Sequence, residues 1–90
     1  MEELLQEIGL TKNEAKIYLK LLEKGTSSAG LIAKFTGIHR RSVYDSLDRL
    51  IKKGLIGYIK NNNKKSFEAV DPEKLVNYVK EKENSVLEIV

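Results

Sequence analysis

Apolar residues recur at helical spacing through the first half of the chain, in stretches that glycines interrupt. Residues 1–8 predict a short helix that ends at Gly9. Residues 12–24 predict a longer helix, because Thr11 and Glu14 form a capping-box pattern at its start and Gly25 follows it. This longer helix carries two apolar stripes, and we expect both to be covered. The stripes are Ala15, Tyr18, Leu19 and Leu22 on one side and Ile17 and Leu21 on the other.

A closely spaced pair of helices is predicted next. Thr26, Ser27 and Ser28 offer a choice of N-caps for a helix over residues 28–36, which Gly37 closes. A second, longer helix follows over residues 40–53 and ends at Gly54. Two helices joined by a tight glycine-containing turn, the second longer and basic, are typical of a helix-turn-helix. The residues expected in the core are Ile32 and Ala33 from the first helix and Val43, Leu47, Leu50 and Ile51 from the second.

Two strand-like segments follow these helices. Residues 55–59 and 66–70 are rich in aromatic and β-branched residues, and the polar residues 60–65 between them include three asparagines. Asp71 and Pro72 then predict an N-cap and a first helical position for a last helix that reaches toward Val90. The expected fold is mainly α with a small β-hairpin, a winged helix-turn-helix. We expect residues 1–71 to form the DNA-binding domain and residues 72–90 a C-terminal dimerisation helix.

The composition is typical of a soluble globular protein, with 41% hydrophobic and 32% charged residues. There is no cysteine, which excludes disulfides and thiolate metal sites. The acidic amphipathic start differs from a secretory signal, and no apolar run approaches the roughly 18 residues of a membrane span. We therefore expect a cytoplasmic protein.

The distribution of charge is more informative than the net charge of +3. Residues 34–65 contain nine basic and two acidic side chains, whereas the segments on either side carry a net negative charge. A basic central third with acidic flanks suggests one face that binds a polyanion.

The helix over residues 40–53 places most of its charged side chains away from its apolar side. Arg40 and Arg41 lie in its first turn, where a recognition helix usually meets base edges. Asp45 either accepts from a cytosine amino group or pairs with an arginine one turn away, and we favour the pair. The lysines of the hairpin tip are expected along the DNA backbone or in the minor groove. The candidate DNA contacts are His39, Arg40, Arg41, Ser42, Tyr44, Asp45, Arg49, Lys52, Lys60, Lys64 and Lys65.

Three segments carry a family resemblance: LTKNEAKIY at residues 10–18, AGLIAK at 29–34 and SVYDSL at 42–47. Over about residues 9–75 the chain resembles the TrmB family of archaeal transcriptional regulators. The resemblance implies sequence-specific binding of double-stranded DNA, usually as a dimer, with contacts from Arg40, Arg41, Ser42 and Tyr44. Family members often have Pro-Arg-Ser-Arg where this chain has His39 to Ser42, so the base preference does not transfer. Many members also carry a C-terminal sugar-sensing domain; this chain stops at Val90, so no small-molecule effector is expected.

The last predicted helix has the apolar spacing of a coiled-coil seam, interrupted by Glu83. We therefore expect a homodimer, whose two-fold symmetry would match a palindromic operator. The alternative is that this helix folds back onto its own domain. The residues expected in the dimer interface are Ile17, Leu21, Leu75, Val76, Val79, Val86, Leu87 and Val90.

Other functions fit the sequence less well. An enzyme needs convergent catalytic groups, but the chain has one histidine and no phosphate-binding glycine loop. No catalytic residue, cofactor or metal site is expected. A winged helix that mediates protein–protein contacts in a transcription or nucleic-acid-processing complex is the main alternative, and it predicts a weakly charged helix at residues 40–53. Binding of double-stranded RNA is a remoter alternative.

Overall fold

The computed structural model of the chain describes residues 2–71 together with residues 73, 77, 78, 80 and 81. Four helices precede an antiparallel two-stranded hairpin. This order confirms the predicted winged helix-turn-helix. The elements are α1 (Glu2–Glu7), α2 (Lys12–Lys24), α3 (Ala29–Thr36), α4 (Arg40–Lys52), β1 (Ile56–Asn61) and β2 (Lys64–Ala69).

Side-chain caps fix where the helices begin. At the start of α2 the backbone N–H of Glu14 donates to the hydroxyl of Thr11 at 3.1 Å, and the N–H of Thr11 donates to the Glu14 carboxylate at 2.9 Å. These two bonds are the predicted capping box. Ser28 is the N-cap of α3, and its hydroxyl accepts from the N–H of Leu31 at 3.2 Å. Of the three candidates at this turn, Ser28 therefore sets the helix start.

The core surrounds α2, which packs against α1, α3, α4 and β2. Tyr18 is fully buried, as predicted, but Leu22 from the same stripe is 43% exposed. Ile17 and Leu21 are 0% and 2% exposed within the single chain. Their side chains therefore have no exposed surface for a second copy, and the expectation that they join a dimer interface is wrong for this arrangement. The rest of the core includes Leu5, Leu10, Ala15, Ala29, Ile32, Val43, Leu47, Leu50, Leu55, Ile56, Phe67 and Tyr78.

The hairpin turn is shorter than predicted. Asn61 pairs with Lys64, so the turn consists of Asn62 and Asn63 alone. Both have positive φ, 50° and 66°, as a type I′ turn requires, and asparagine tolerates this conformation better than most residues. The strands consequently extend into the segment that the sequence assigned to a six-residue turn.

The loop before α3 fixes the position of the hairpin. The N–H of Ser27 donates to the carbonyl of Phe67 at 2.9 Å, and the N–H of Phe67 donates back at 2.8 Å. Ser27 and Phe67 thus form an isolated antiparallel β-bridge at the edge of β2. Because Ser27 directly precedes the N-cap of α3, this pairing holds the hairpin close to the first turn of α3.

The predicted start of the last helix is present. The N–H of Glu73 donates to the Asp71 carboxylate at 2.9 Å, and the described residues that follow are helical. Tyr78 is buried in the core of its own domain. The remaining residues of the predicted dimer interface lie outside the described residues: Leu75, Val76, Val79, Val86, Leu87 and Val90.

Candidate nucleic-acid interface

Helix α4 buries one side and exposes a charged side. Val43 and Leu47 lie among its buried residues, and Ser46 is buried beside them. Arg41 lies on the opposite side with Asp45, Asp48 and Lys52, and all four are exposed. Tyr44, 49% exposed, and half-buried Ser42 lie on the two flanks of this exposed side. These residues are therefore exposed as their spacing predicted, and their contact with DNA stays a prediction.

The first turn of α4 holds two unpaired arginines. His39 is the N-cap, and its Nδ1 accepts from the N–H of Arg41 at 3.3 Å. His39 thus acts through its ring as a cap at the start of α4. Arg40 and Arg41 are exposed, and neither forms an ion pair with any carboxylate in the part of the chain that the structure describes. Their charges remain available to an external anion.

The expected ion pair of Asp45 is not formed. Within the described residues, no arginine or lysine pairs with Asp45. Arg49 turns instead toward α2, where its Nε lies 3.9 Å from the Glu14 carboxylate and its Nη2 donates to the Ser46 hydroxyl at 3.2 Å. A buried carboxylate attracts a guanidinium more strongly than an exposed one does, because water screens the exposed charge.

Lys52 pairs with Asp48 one turn earlier, with 3.2 Å between Nζ and Oδ2. Both side chains are largely exposed, so this pair contributes about 0.2–0.5 kcal/mol to helix stability. A phosphate can compete with so weak a pair, and Lys52 remains a candidate contact.

A groove of about 460 Å³ lies between α4, the first turn of α3 and the hairpin tip. Arg40 and Tyr44 line its α4 side, and three lysines line its hairpin side. Among the residues that the structure describes, no acidic one lines it. Next to it, the Lys65 ammonium lies 4.8 Å from the ring centroid of Tyr58, a cation–π contact that holds this lysine near the groove. The lysines are Lys60, Lys64 and Lys65, all of which the sequence predicted.

Sequence reasoning missed the ion-pair network of Glu14. The carboxylate is fully buried and accepts from the Lys53 ammonium at 2.5 Å as well as from Thr11. Burial raises the pKa of Glu14, but the hydrogen bonds from Lys53 and Thr11 outweigh it and hold the pKa below its ordinary value. This network joins the start of α2 to the end of α4, so it orients the exposed side of α4 relative to the core.

The described part of the chain has neither a metal-site cluster nor a membrane-spanning helix. No cluster of three or more histidine, aspartate or glutamate side chains there has an arrangement that could hold a metal ion. No helix there is long and apolar enough to cross a membrane.

Comparison with known proteins identifies the family. The profile of the family described as "Sugar-specific transcriptional regulator TrmB" matches residues 5–73. The chain belongs to the TrmB family. This result confirms the resemblance seen in the sequence, and the matched residues include α4 and the hairpin.

Individual relatives of this TrmB-family chain agree. It is 35% identical over 77 residues to the HTH-type sugar sensing transcriptional regulator TrmBL1 of Pyrococcus furiosus, a match that covers 86% of this chain and 22% of the relative. It superposes on TrmBL2, described as an archaeal chromatin protein with a novel mode of DNA binding, with a TM-score of 0.85 and 29% identity. That match covers 98% of this chain and 34% of TrmBL2.

A second structure shows the fold alone. A possible transcriptional regulator from Methanosarcina mazei superposes with a TM-score of 0.80 at 14% identity, covering 90% of this chain and 73% of the other. The chain thus spans about a fifth of its curated relative and a third of TrmBL2. The match to TrmBL2 covers almost the whole chain and therefore includes α4 and the hairpin.

Proposed function

We propose that this chain binds double-stranded DNA sequence-specifically and regulates transcription, with α4 in the major groove and the β1–β2 hairpin as the wing. The observation that carries this proposal is the placement of Arg41. Its side chain is exposed on the side of α4 opposite the core, and it forms no ion pair with a carboxylate among the described residues.

The dimensions and chemistry of α4 suit the major groove. A B-DNA major groove admits one α-helix, and an arginine guanidinium matches the two acceptors on the edge of guanine. The core-facing side of α4 is fixed by Val43, Leu47 and Leu50, which are no more than 1% exposed. The direction of Arg41 is therefore set by a rigid element, as base reading requires.

The wing supplies sequence-independent affinity. Lys60, Lys64 and Lys65 lie at the hairpin tip, where they can approach the phosphates that flank the groove occupied by α4. Each phosphate that is neutralised releases counterions. The logarithm of the affinity therefore falls linearly with the logarithm of the salt concentration, and this salt slope is proportional to the number of phosphate contacts. A cytoplasmic protein of this kind would combine base reading by α4 with backbone contacts by the wing.

We also propose that two copies act together through residues 72–90, excluding Ile17 and Leu21. The support is the apolar spacing of Val76, Val79, Val86 and Val90, which resembles a coiled-coil seam. Light scattering at micromolar concentration tests this: a mass twice the 10.2 kDa of the chain is expected, and a monomer would contradict it.

A selection from random DNA duplexes, followed by equilibrium binding, tests the proposed function. The wild type is expected to enrich one motif, to bind it more tightly than a scrambled duplex, and to bind duplex RNA of that sequence weakly. Arg41→Ala should reduce the affinity for the selected duplex by about 1–3 kcal/mol. The control is Lys20→Ala, because Lys20 lies on α2 and pairs with Glu23. Failure to enrich any duplex, or equal losses from the two substitutions, would contradict the proposal.

A further inference from the structure

The two adjacent arginines that begin α4 point in different directions. Arg40 lies against α3: a Cβ placed on Gly30 would be 3.5 Å from Nη2 of Arg40 and 3.9 Å from its Cζ. Arg41 is rotated by about 100° around the helix axis and lies on the side opposite the core. Two residues that look equivalent in the sequence therefore meet different surroundings.

The surroundings of Arg40 are cationic. It shares the groove of about 460 Å³ with Lys60, Lys64 and Lys65, and no carboxylate from the described part of the chain lines that groove. Its guanidinium also lies beside the first turn of α3, and the N-terminal end of a helix carries partial positive charge. Four like charges that converge without a counter-charge repel one another, so this groove favours an anion of the size of a phosphate.

The same placement removes Arg40 from the path to the bases. A side chain that reads base edges must project from α4 along the direction in which the helix enters the DNA groove, as Arg41 does. Arg40 projects sideways instead, across to α3 and toward the hairpin. In a protein–DNA complex, the backbone is the part of the duplex that runs beside a recognition helix.

We infer that the groove between α3, α4 and the wing binds a backbone phosphate of the DNA through Arg40, whereas Arg41 reads a base. This inference rests on the proposed function and assigns separate roles to the two arginines. Gly30 contributes by its lack of a side chain, because Arg40 occupies the space beside it. Tyr44, which lines the same groove, provides a hydroxyl donor for the same phosphate.

Binding of Arg40→Ala and Arg41→Ala to the selected and the scrambled duplex, across a salt series, tests the division. Arg40→Ala is expected to weaken binding to both duplexes by the same factor and to reduce the salt slope by about 1. Arg41→Ala is expected to reduce the affinity for the selected duplex by roughly 5- to 150-fold and the affinity for the scrambled duplex by a much smaller factor. Arg40→Lys, which keeps the charge, should retain most of the salt slope.

The outcomes separate this inference from the proposed function. A wild type that binds no duplex overturns both. If the wild type prefers the selected duplex but Arg40→Ala reduces the affinity for that duplex only, the proposed function stands. The separate roles of Arg40 and Arg41 are then overturned. Circular dichroism of each variant confirms that it is folded, which is expected because both arginines are exposed.

A second pair of variants tests the role of Gly30. Its backbone has ordinary helical φ, and a Cβ would meet Arg40 at a normal contact distance of 3.5 Å. Gly30→Ala is therefore expected to leave DNA affinity unchanged, whereas the longer side chain of Gly30→Leu should displace Arg40 and reproduce the uniform loss of Arg40→Ala. Gly30→Leu should add little in an Arg40→Ala background, and independent, additive losses would contradict the contact.

Discussion

Lys53 at the end of α4 donates a hydrogen bond to the buried carboxylate of Glu14 near the start of α2, with 2.5 Å between Nζ and Oε2. The two residues are 39 positions apart in the chain. Arg49 approaches the same carboxylate at 3.9 Å. Because Glu14 also completes the capping box with Thr11, one side chain both starts α2 and holds the far end of the proposed recognition helix.

Replacement of Glu14 by glutamine is expected to lower the free energy of unfolding at neutral pH by about 1–3 kcal/mol. Glutamine can still close the capping box, so the loss reports the missing charge opposite Lys53 and Arg49. Urea denaturation measures the change. The matched control is Glu23→Gln, which removes an exposed carboxylate paired with Lys20 and should change stability by less than about 0.5 kcal/mol. Equal effects from the two substitutions would contradict the structural role of Glu14.

The lowered pKa of Glu14 predicts a pH dependence of stability. The folded state holds this carboxyl deprotonated more strongly than the unfolded state does, whose pKa is about 4.3. Its contribution is therefore fully present above about pH 4.3 and is lost as the pH falls through the lower folded value. The stability difference between wild type and Glu14→Gln should shrink over that acidic window. A difference that stays constant from neutral to acidic pH would show that Glu14 does not titrate in this way.

The turn of the wing predicts opposite effects of two substitutions at Asn63. This residue has a φ of 66°, which glycine adopts readily and a β-branched residue does not. Asn63→Gly is expected to be neutral or stabilising, and Asn63→Val to destabilise the hairpin by about 1–2 kcal/mol. Thermal unfolding of the two variants gives the comparison. Valine tolerated as well as glycine would mean that the two-residue turn is not the one present in solution.

The three lysines of the wing tip predict a measurable salt effect. Replacing Lys60, Lys64 and Lys65 together with glutamine is expected to reduce the salt slope of DNA binding by up to about 3, because each lost phosphate contact contributes about 0.9. The preference for the selected over the scrambled duplex should persist, since these residues contact the backbone. A variant with three lysines of α2 replaced serves as the control, and the two variants should differ clearly in slope. An unchanged salt slope in the wing variant would show that the wing lysines do not contact the DNA backbone.

The parts of the fold that depend on neighbouring residues could be predicted from the sequence. Thr11 with Glu14, and Ser28 with Leu31, are hydrogen bonded three positions apart, so the cap residues alone reveal where α2 and α3 begin. The exposed side of α4 followed in the same way from the spacing of its apolar residues. These features involve residues within one or two helical turns, so the sequence itself contains both partners.

Contacts between distant elements could not be predicted. Arg49 was expected at the DNA surface or near Asp45, and only the packing of α2 against α4 brings the Glu14 carboxylate within its reach. Leu22 fits an apolar stripe by spacing, but the neighbouring helices leave it exposed. The contact between Arg40 and Gly30 likewise depends on how α3 packs beside α4.

The central claim is that the exposed side of α4 and the wing together form the DNA-binding surface. Backbone amide shifts of the 90-residue chain, followed by NMR while a selected duplex is added, test it most directly. The largest changes are expected at Arg40, Arg41 and Tyr44 and at residues 60–65, with little change along the solvent side of α2. Changes centred on α1 and α2, with α4 and the wing unaffected, would contradict the account.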